Sequence, residues 1–346
     1  MEFIIGSKKE FLDFLNAINN RDRVGILTHN DLDGIASAIF LQKILENRGI
    51  NLEFIDFLTY KKGMFDLAIS KIKKKSVNKL FLADLAADSS DLEGFEKLRG
   101  EADSFLIDHH PIHHDLKDKK NIIKTNSTDC ASITIYNLGI NLFDSNEWGW
   151  LACAGIIADV SYHNQENLKF IQKIYPKVSK DNIWDSIPGE ITKKITSALI
   201  YYNKNLKKVY DFILKKDLNA FNKVHQIVDD EIQIYSKRFK KEAEFFPGRD
   251  LYFYYVNPEL NITSILSSIV SFEEPDKSFV LASDINKNFM KISARNQSGK
   301  EDMNLLMKRA IKNLENATGG GHSKAAAARI MKKDLGKFKE NILRNY

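Results

Sequence analysis

The sequence predicts an α/β protein with an N-terminal domain built on a parallel sheet, a helical linker and a smaller C-terminal α/β domain. Three observations predict it. Short apolar runs alternate with helix-period segments through the early part of the chain. A Lys-rich stretch then keeps helical period almost throughout residues 165–246. After Pro247-Gly248 the alternation of strand and helix resumes. The expected divisions are 1–164, 165–246 and 247–346.

The elements follow in order. Residues 9–20 form a short helix, and Val24 to His29 a buried strand ending in the polar turn Asn30-Asp31-Leu32-Asp33-Gly34. A helix runs from Ile35 to Asn47, and Gly49 suits its stop. Leu52 to Phe57, Leu80 to Leu85 and Ser104 to Asp108 supply three further strands. Residues 131–140 and 148–163 are two more helices. In the last domain, Leu251 to Val256 is a strand and Ile262 to Val270 a helix. Phe279 to Ile285 and Phe289 to Ala294 form a hairpin, and a helix from Met303 to Leu314 leads into Thr318-Gly319-Gly320-Gly321-His322.

Composition excludes several classes. With 43% hydrophobic and 28% charged residues the chain is not disordered, and 17 Gly with 6 Pro is neither collagen-like nor low-complexity. Its two cysteines, Cys130 and Cys153, have no CxxC partner. That rules out a disulfide framework or a zinc ribbon and makes a reduced, cytoplasmic protein the expectation. The start MEFIIGSKKEFLDFL lacks signal-peptide architecture, and no window is apolar enough to span a bilayer. Lys and Arg total 51 against 46 acids, a net charge of +5 that permits a polyanionic partner without demanding one.

The informative feature is where the acids and histidines fall. In parallel sheets ligands gather beyond the carboxyl ends of the strands. Here three strands deliver His29, Asp31 and Asp33, then Asp84, then Asp108, His109 and His110 to that edge. Each signal alone has a bland explanation: a turn, a helix cap, polar loop residues. Asp159, in the apolar run Gly155-Ile156-Ile157-Ala158-Asp159, adds a carboxylate that is costly to bury without a cation. Together these ligands suit two Mn²⁺ or Mg²⁺ ions better than zinc or calcium. Two metals about 3.5–4 Å apart are a recurrent solution for phosphoryl transfer.

The runs THNDLDGIASA, LADL, IDHHP, GIIADV and GGGH, in that order, resemble the DHH phosphoesterase superfamily, with the C-terminal part resembling its DHHA1 domain. Within it the chain is most similar to archaeal RecJ-like exonucleases. The resemblance implies that Asp31 and Asp33 each bind one metal and that Asp84 bridges both. It implies that His109 and Asp159 serve the second ion, and it puts His29 in the leading ligand position. It implies a catalytic pair in which Asp108 orients a histidine and His110 faces the scissile phosphate. In the C-terminal domain it assigns substrate binding to Arg295, in the family's SxR strand, and to the loop Gly319, Gly320, Gly321 and His322. Glycines let backbone N–H groups approach a phosphate, and the helix expected after the loop favours anions. One departure is Ala325-Ala326-Ala327-Ala328, where the family commonly has Gly. After residue 322 the chain also leaves no length for the strand-gripping OB fold of bacterial RecJ.

The expectation is therefore a Mn²⁺-dependent phosphodiesterase with two ions, Mg²⁺ being the substitute. It would act as a single-strand-specific exonuclease that releases 5′-nucleotides. Its partners would be single-stranded DNA or RNA, or short oligonucleotides, with a replication or repair protein as a candidate companion and no membrane. The alternatives are an oligoribonuclease or a cyclic-dinucleotide phosphodiesterase of the same superfamily, or a catalytically silent binding member. Every motif position is filled, which argues against the last.

Overall fold

A computed structural model describes residues 2–114, 116 and 119–346. The chain forms two compact units, Met1–Asn222 and Lys223–Tyr346. The boundary falls inside the expected linker.

In the first unit, β1 (Phe3–Ile5) and α1 (Lys8–Asn16) precede β2 (Val24–His29) and α2 (Leu32–Glu46). Next come β3 (Leu52–Leu58), α3 (Asp66–Lys75), β4 (Lys79–Ala83), α4 (Ala87–Ser90), α5 (Leu92–Glu101) and β5 (Asp103–Asp108). After β6 (Ile122–Thr125) the unit is helical: α6 (Ala131–Leu138), α7 (Ser145–Ala158), α8 (Gln165–Ile174), α9 (Ile187–Tyr201) and α10 (Leu206–Leu214). The sheet order is β1-β6-β5-β4-β2-β3. Strands β2 to β6 run parallel, and β1 closes one edge antiparallel to β6.

The parallel sheet is as expected, and its strands are near-continuous apolar runs because both faces are covered. Val24, Ile26, Leu27, Leu80, Phe81, Leu82, Phe105 and Ile107 are fully buried. Register aligns the carboxyl ends: Thr28 sits beside Ala83, Ala83 beside Ile107, and Asp108 beside Lys124. That alignment sets the chemistry-bearing residues along one edge.

Several expectations change. α2 begins at Leu32, not Ile35, because the extended Asp31 caps it by accepting the Gly34 N–H. Asp33 therefore sits in the first helical turn, and the expected convergence of His29, Asp31 and Asp33 from an extended chain does not occur. α7 ends at Ala158, so Asp159 is the residue after the helix, not one within it. β1 and β6 have only three and four residues, too few for a period to register.

The second unit opens with α11 (Asn222–Glu242), then β7 (Glu244–Phe246), β8 (Leu251–Tyr255), α12 (Thr263–Glu273), β9 (Ser278–Asp284) and β10 (Phe289–Arg295). It closes with α13 (Met303–Ala310), β11 (Thr318–Gly321), β12 (Ala325–Met331) and α14 (Leu335–Asn345). The sheet order is β11-β12-β10-β9-β8-β7. The glycine run is thus a strand. His322 to Lys324 turn the chain directly into β12, whose Ala side chains alternate between more exposed and buried positions. Among the described residues, the anion-favouring helix start expected at this point is absent.

Candidate metal centre

The site is assembled where β2, β4 and β5 end. His29 closes β2, and its Nδ1 lies 2.8 Å from Asp31 Oδ2 and 3.6 Å from Asp84 Oδ2. The chain then enters α2 so tightly that a Cβ on Gly34 would lie 2.1 Å from the His29 carbonyl oxygen. Glycine is what lets the helix start this close to the strand. Asp33, 1% exposed, reaches away from Asp31 to the start of α6. The backbone N–H of Ala131 donates to its Oδ2 at 2.8 Å and that of Ser132 to its Oδ1 at 2.9 Å.

Asp84 follows β4 with φ +57°, a left-handed conformation that a non-glycine residue rarely adopts. Its backbone N–H bonds the Ile107 carbonyl, and its own carbonyl accepts from the Tyr60 hydroxyl at 2.9 Å. These bonds hold the strained residue with its carboxylate between the histidines. His109 Nε2 lies 3.3 Å from Asp84 Oδ1, and His109 Nδ1 lies 3.7 Å from Asp159 Oδ2. Asp159 follows α7 as its cap, and its backbone N–H still donates to the Gly155 carbonyl.

Two ligand groups emerge, His29 with Asp31 and Asp84, and Asp84 with His109 and His110. They share Asp84. Both ring nitrogens of His109, Nδ1 of His29 and Oδ2 of Asp84 are buried without a hydrogen bond of acceptable geometry. Buried polar atoms are normally satisfied, and a divalent cation is the partner that would satisfy nitrogen and carboxylate together. The donor set, carboxylates with imidazoles, suits Mn²⁺ or Mg²⁺. The residues present therefore fit such ions.

The electrostatics agree. Burial and the Asp84 charge push the Asp33 carboxyl up to about 6. Burial, with His109 opposing, carries the Asp159 carboxyl well above the ordinary range. Burial pulls the His29 ring down, but Asp31 and Asp84 outweigh it and carry the ring up to about 10. Burial chiefly raises the acids, and the raised imidazole reflects the carboxylates around it.

The sequence-expected pair is present too. His110 Nδ1–H donates to Asp108 Oδ1 at 2.8 Å. Three residues around it went unread. The Tyr60 hydroxyl lies 3.2 Å from His110 Nε2, and the Tyr60 ring stacks on His29 at 4.0 Å. Lys124 and Asp88 are buried behind Asp108. Only the apolar neighbours of Lys124 marked it, as a cation in the run Ile122-Ile123-Lys124.

Arg295, Gly319, Gly320, Gly321 and His322 lie in the second unit. Arg295 ends β10, where Nε donates to Ser268 Oγ at 3.2 Å and Nη2 to Ser264 Oγ at 3.0 Å. Burial lowers its guanidinium to about 10. β12 links it to the glycines: Arg295 pairs with Ala325, and Gly321 with Ala326. Gly321 takes φ +147°, and a Cβ there would lie 2.6 Å from the Ala325 carbonyl oxygen.

Two family models and several known proteins match this chain. The family model described as the DHH family, N-terminal domain, matches residues 23–178, and the DHHA1 domain model matches 251–345. An uncharacterized protein of Methanocaldococcus jannaschii is 27% identical over 236 residues, 62% of this chain and 52% of its own length. RecJ of Thermus thermophilus in complex with Mn²⁺ superposes with TM-score 0.74 at 14% identity, over 98% of this chain and 54% of that one. An exonuclease RecJ bound to manganese gives 0.70 at 13%, over 97% and 92%. The chain thus spans about half the length of the curated relative and of the Thermus protein. Among the described residues no helix is long and apolar enough to cross a membrane.

Proposed function

The chain belongs to the DHH superfamily of phosphoesterases, as its DHH and DHHA1 domains show, and from that premise we propose a Mn²⁺-dependent, single-strand-specific exonuclease that releases 5′-nucleotides. The observation that carries the reading is the pair of ligand groups sharing one buried carboxylate, Asp84. His29 and Asp31 would hold one ion, and Asp33, His109 and Asp159 the other, with Asp84 serving both and Mg²⁺ as the substitute ion. When bound, such ions lower the pKa of water and offset the charge on phosphate oxygens.

The chain's own residues do the rest. Tyr60 and the Ile107 carbonyl fix the backbone of Asp84, so its carboxylate is positioned before any ion arrives. Asp108 holds His110 by Nδ1, and Nε2, which lies 3.2 Å from the Tyr60 hydroxyl, would in the imidazolium form donate to a phosphate oxygen and steady it for in-line attack. Arg295, held by two serines, would offer a preformed cation to a substrate phosphate.

A second reading, an oligoribonuclease or a cyclic-dinucleotide phosphodiesterase, gains support from one observation. Many lysines are locally paired with acids, such as Lys207 with Asp211 and Lys240 with Glu273, which leaves little cationic track for a long strand.

Timed digestion of end-labelled DNA and RNA single strands of several lengths, with Mn²⁺, Mg²⁺ or EDTA, tests both. The expected result is single-nucleotide release with Mn²⁺, weaker with Mg²⁺ and abolished by EDTA or by Asp84→Asn. Full activity in metal-stripped protein sinks the reading.

A further inference from the structure

Lys124 has no place in the ligand set, yet its side chain is fully buried, at 0% exposure. Lysine is almost never fully buried unless it is paired. Here three acceptors surround Nζ: Asp108 Oδ2 at 2.5 Å, Asp88 Oδ1 at 3.2 Å and the His110 carbonyl at 3.2 Å. The other Asp108 oxygen accepts the His110 Nδ1–H at 2.8 Å. The other Asp88 oxygen accepts the backbone N–H groups of His113, at 2.8 Å, and His114, at 3.4 Å. β6 supplies the lysine, β5 the first aspartate and α4 the second, so three elements converge on one ammonium group.

We propose that Lys124, seconded by Asp88, is a positioning residue for phosphoester hydrolysis. It locks the Asp108 carboxylate in the single orientation that grips His110 and aims His110 Nε2 at the substrate. The inference rests on the reading of His110 given above. The Asp108 carboxylate divides its oxygens, one to the ammonium and one to the imidazole, so rotating it breaks both bonds at once. The same ammonium also holds the His110 carbonyl, so backbone and ring of that residue are fixed from one point. Stability alone does not require the arrangement, since apolar residues of similar volume often replace a buried ion cluster without loss. Such outer partners of a metal-site histidine typically change activity 10–100-fold when removed.

The test is Lys124→Met in the full chain. Turnover of bis(p-nitrophenyl) phosphate with Mn²⁺ should show kcat down about 10–100-fold and KM nearly unchanged. A structural readout accompanies it. In ¹⁵N-labelled protein with Mg²⁺, the His110 Nδ1–H resonance, assigned through His110→Asn, should be protected from exchange in the wild type and unprotected in the variant. Lys124→Met leaves Asp88 and Asp108 facing each other without a cation and so endangers folding. The double variant Lys124→Met with Asp88→Asn removes one of those charges and carries the same test. Retention of the protected ring proton in a folded variant, or unchanged kcat, overturns the proposal. Wild-type protein that cleaves no phosphodiester sinks the functional reading instead, and the ring-proton comparison still decides the role of Lys124.

Discussion

Asp33 serves two structures at once, capping α6 through two backbone N–H groups while facing the other carboxylates of the centre. Its carboxyl titrates near 6 in the folded chain and near 4 when unfolded. The folded state therefore binds the extra proton. That contribution is complete below about pH 4 and is lost as pH rises through about 6. Asp159, raised in the same direction, adds to it, whereas Asp31 and Asp108, both held low, matter only below that window. EDTA-treated protein should thus lose of order 1–3 kcal/mol between about pH 4 and pH 7. Added Mn²⁺ should raise the melting temperature more at the upper end, where the ligands are deprotonated. Melting curves across the series check this, and a metal-free Tm that climbs with pH contradicts it. In the second unit, Arg295→Ala should raise KM for single strands with a smaller loss in kcat if the guanidinium binds substrate phosphate as proposed. Steady-state kinetics decide, and an untouched KM would remove Arg295 from substrate binding. At this scale the aspartates and histidines that gather at the candidate centre stood out because each ends or follows an apolar run. Tyr60, Asp88 and Lys124 were not, since only the three-dimensional register sets Lys124 opposite Asp108.

Elements bring these residues together through close approaches that tolerate no added atoms. α2 leaves β2 across Gly34, where a Cβ would meet the His29 backbone and not a yielding side chain. Gly34→Ala should therefore cost about 3 kcal/mol or more, at the upper end of overpacking penalties. Urea unfolding measures it, and a loss under about 1 kcal/mol would show that the turn can relax. The β2–α2 pair was readable in outline, but not its start, because Asp31 caps without the Glu or Gln three residues on that usually signals the motif. The glycine run misled for a different reason. Thr318-Gly319-Gly320-Gly321 and Ala325-Ala326-Ala327-Ala328 lack β-branched residues apart from one threonine, so propensity speaks against strands. Pairing in the sheet overrides it: Gly319 packs where a Cβ would sit 3.2 Å from the Ala328 Cβ. Small residues on both strands let them lie side by side with little bulk between.

Across the whole molecule, charge is arranged locally. Lys71 pairs with Asp56, Lys207 with Asp211, Lys216 with Glu147 and Lys339 with Glu244. Most such surface pairs contribute little to stability, yet they reduce the cationic surface left for a polyanion. A bound strand should then release few counterions, from about 3–6 phosphates at a slope of about −0.7 each. Competition between roughly 5-mers and 40-mers over a salt series should show comparable cleavage and shallow dependence. Strong preference for the long strand with a steep slope would reveal an extended groove. The two-domain layout was legible because hydrophobic period survives over long segments, while the division of the helical stretch at Asn222 depends on packing that no local pattern encodes. One strained residue bears on the entire fold. The left-handed backbone of Asp84 costs of order 1–2 kcal/mol, against a total stability of about 5–15 kcal/mol. Glycine would relieve that strain and remove a buried charge together. A laboratory screen for heat resistance run on metal-depleted protein would therefore favour replacement of Asp84, and the hardiest survivors would be those that had lost the residue both ligand groups share.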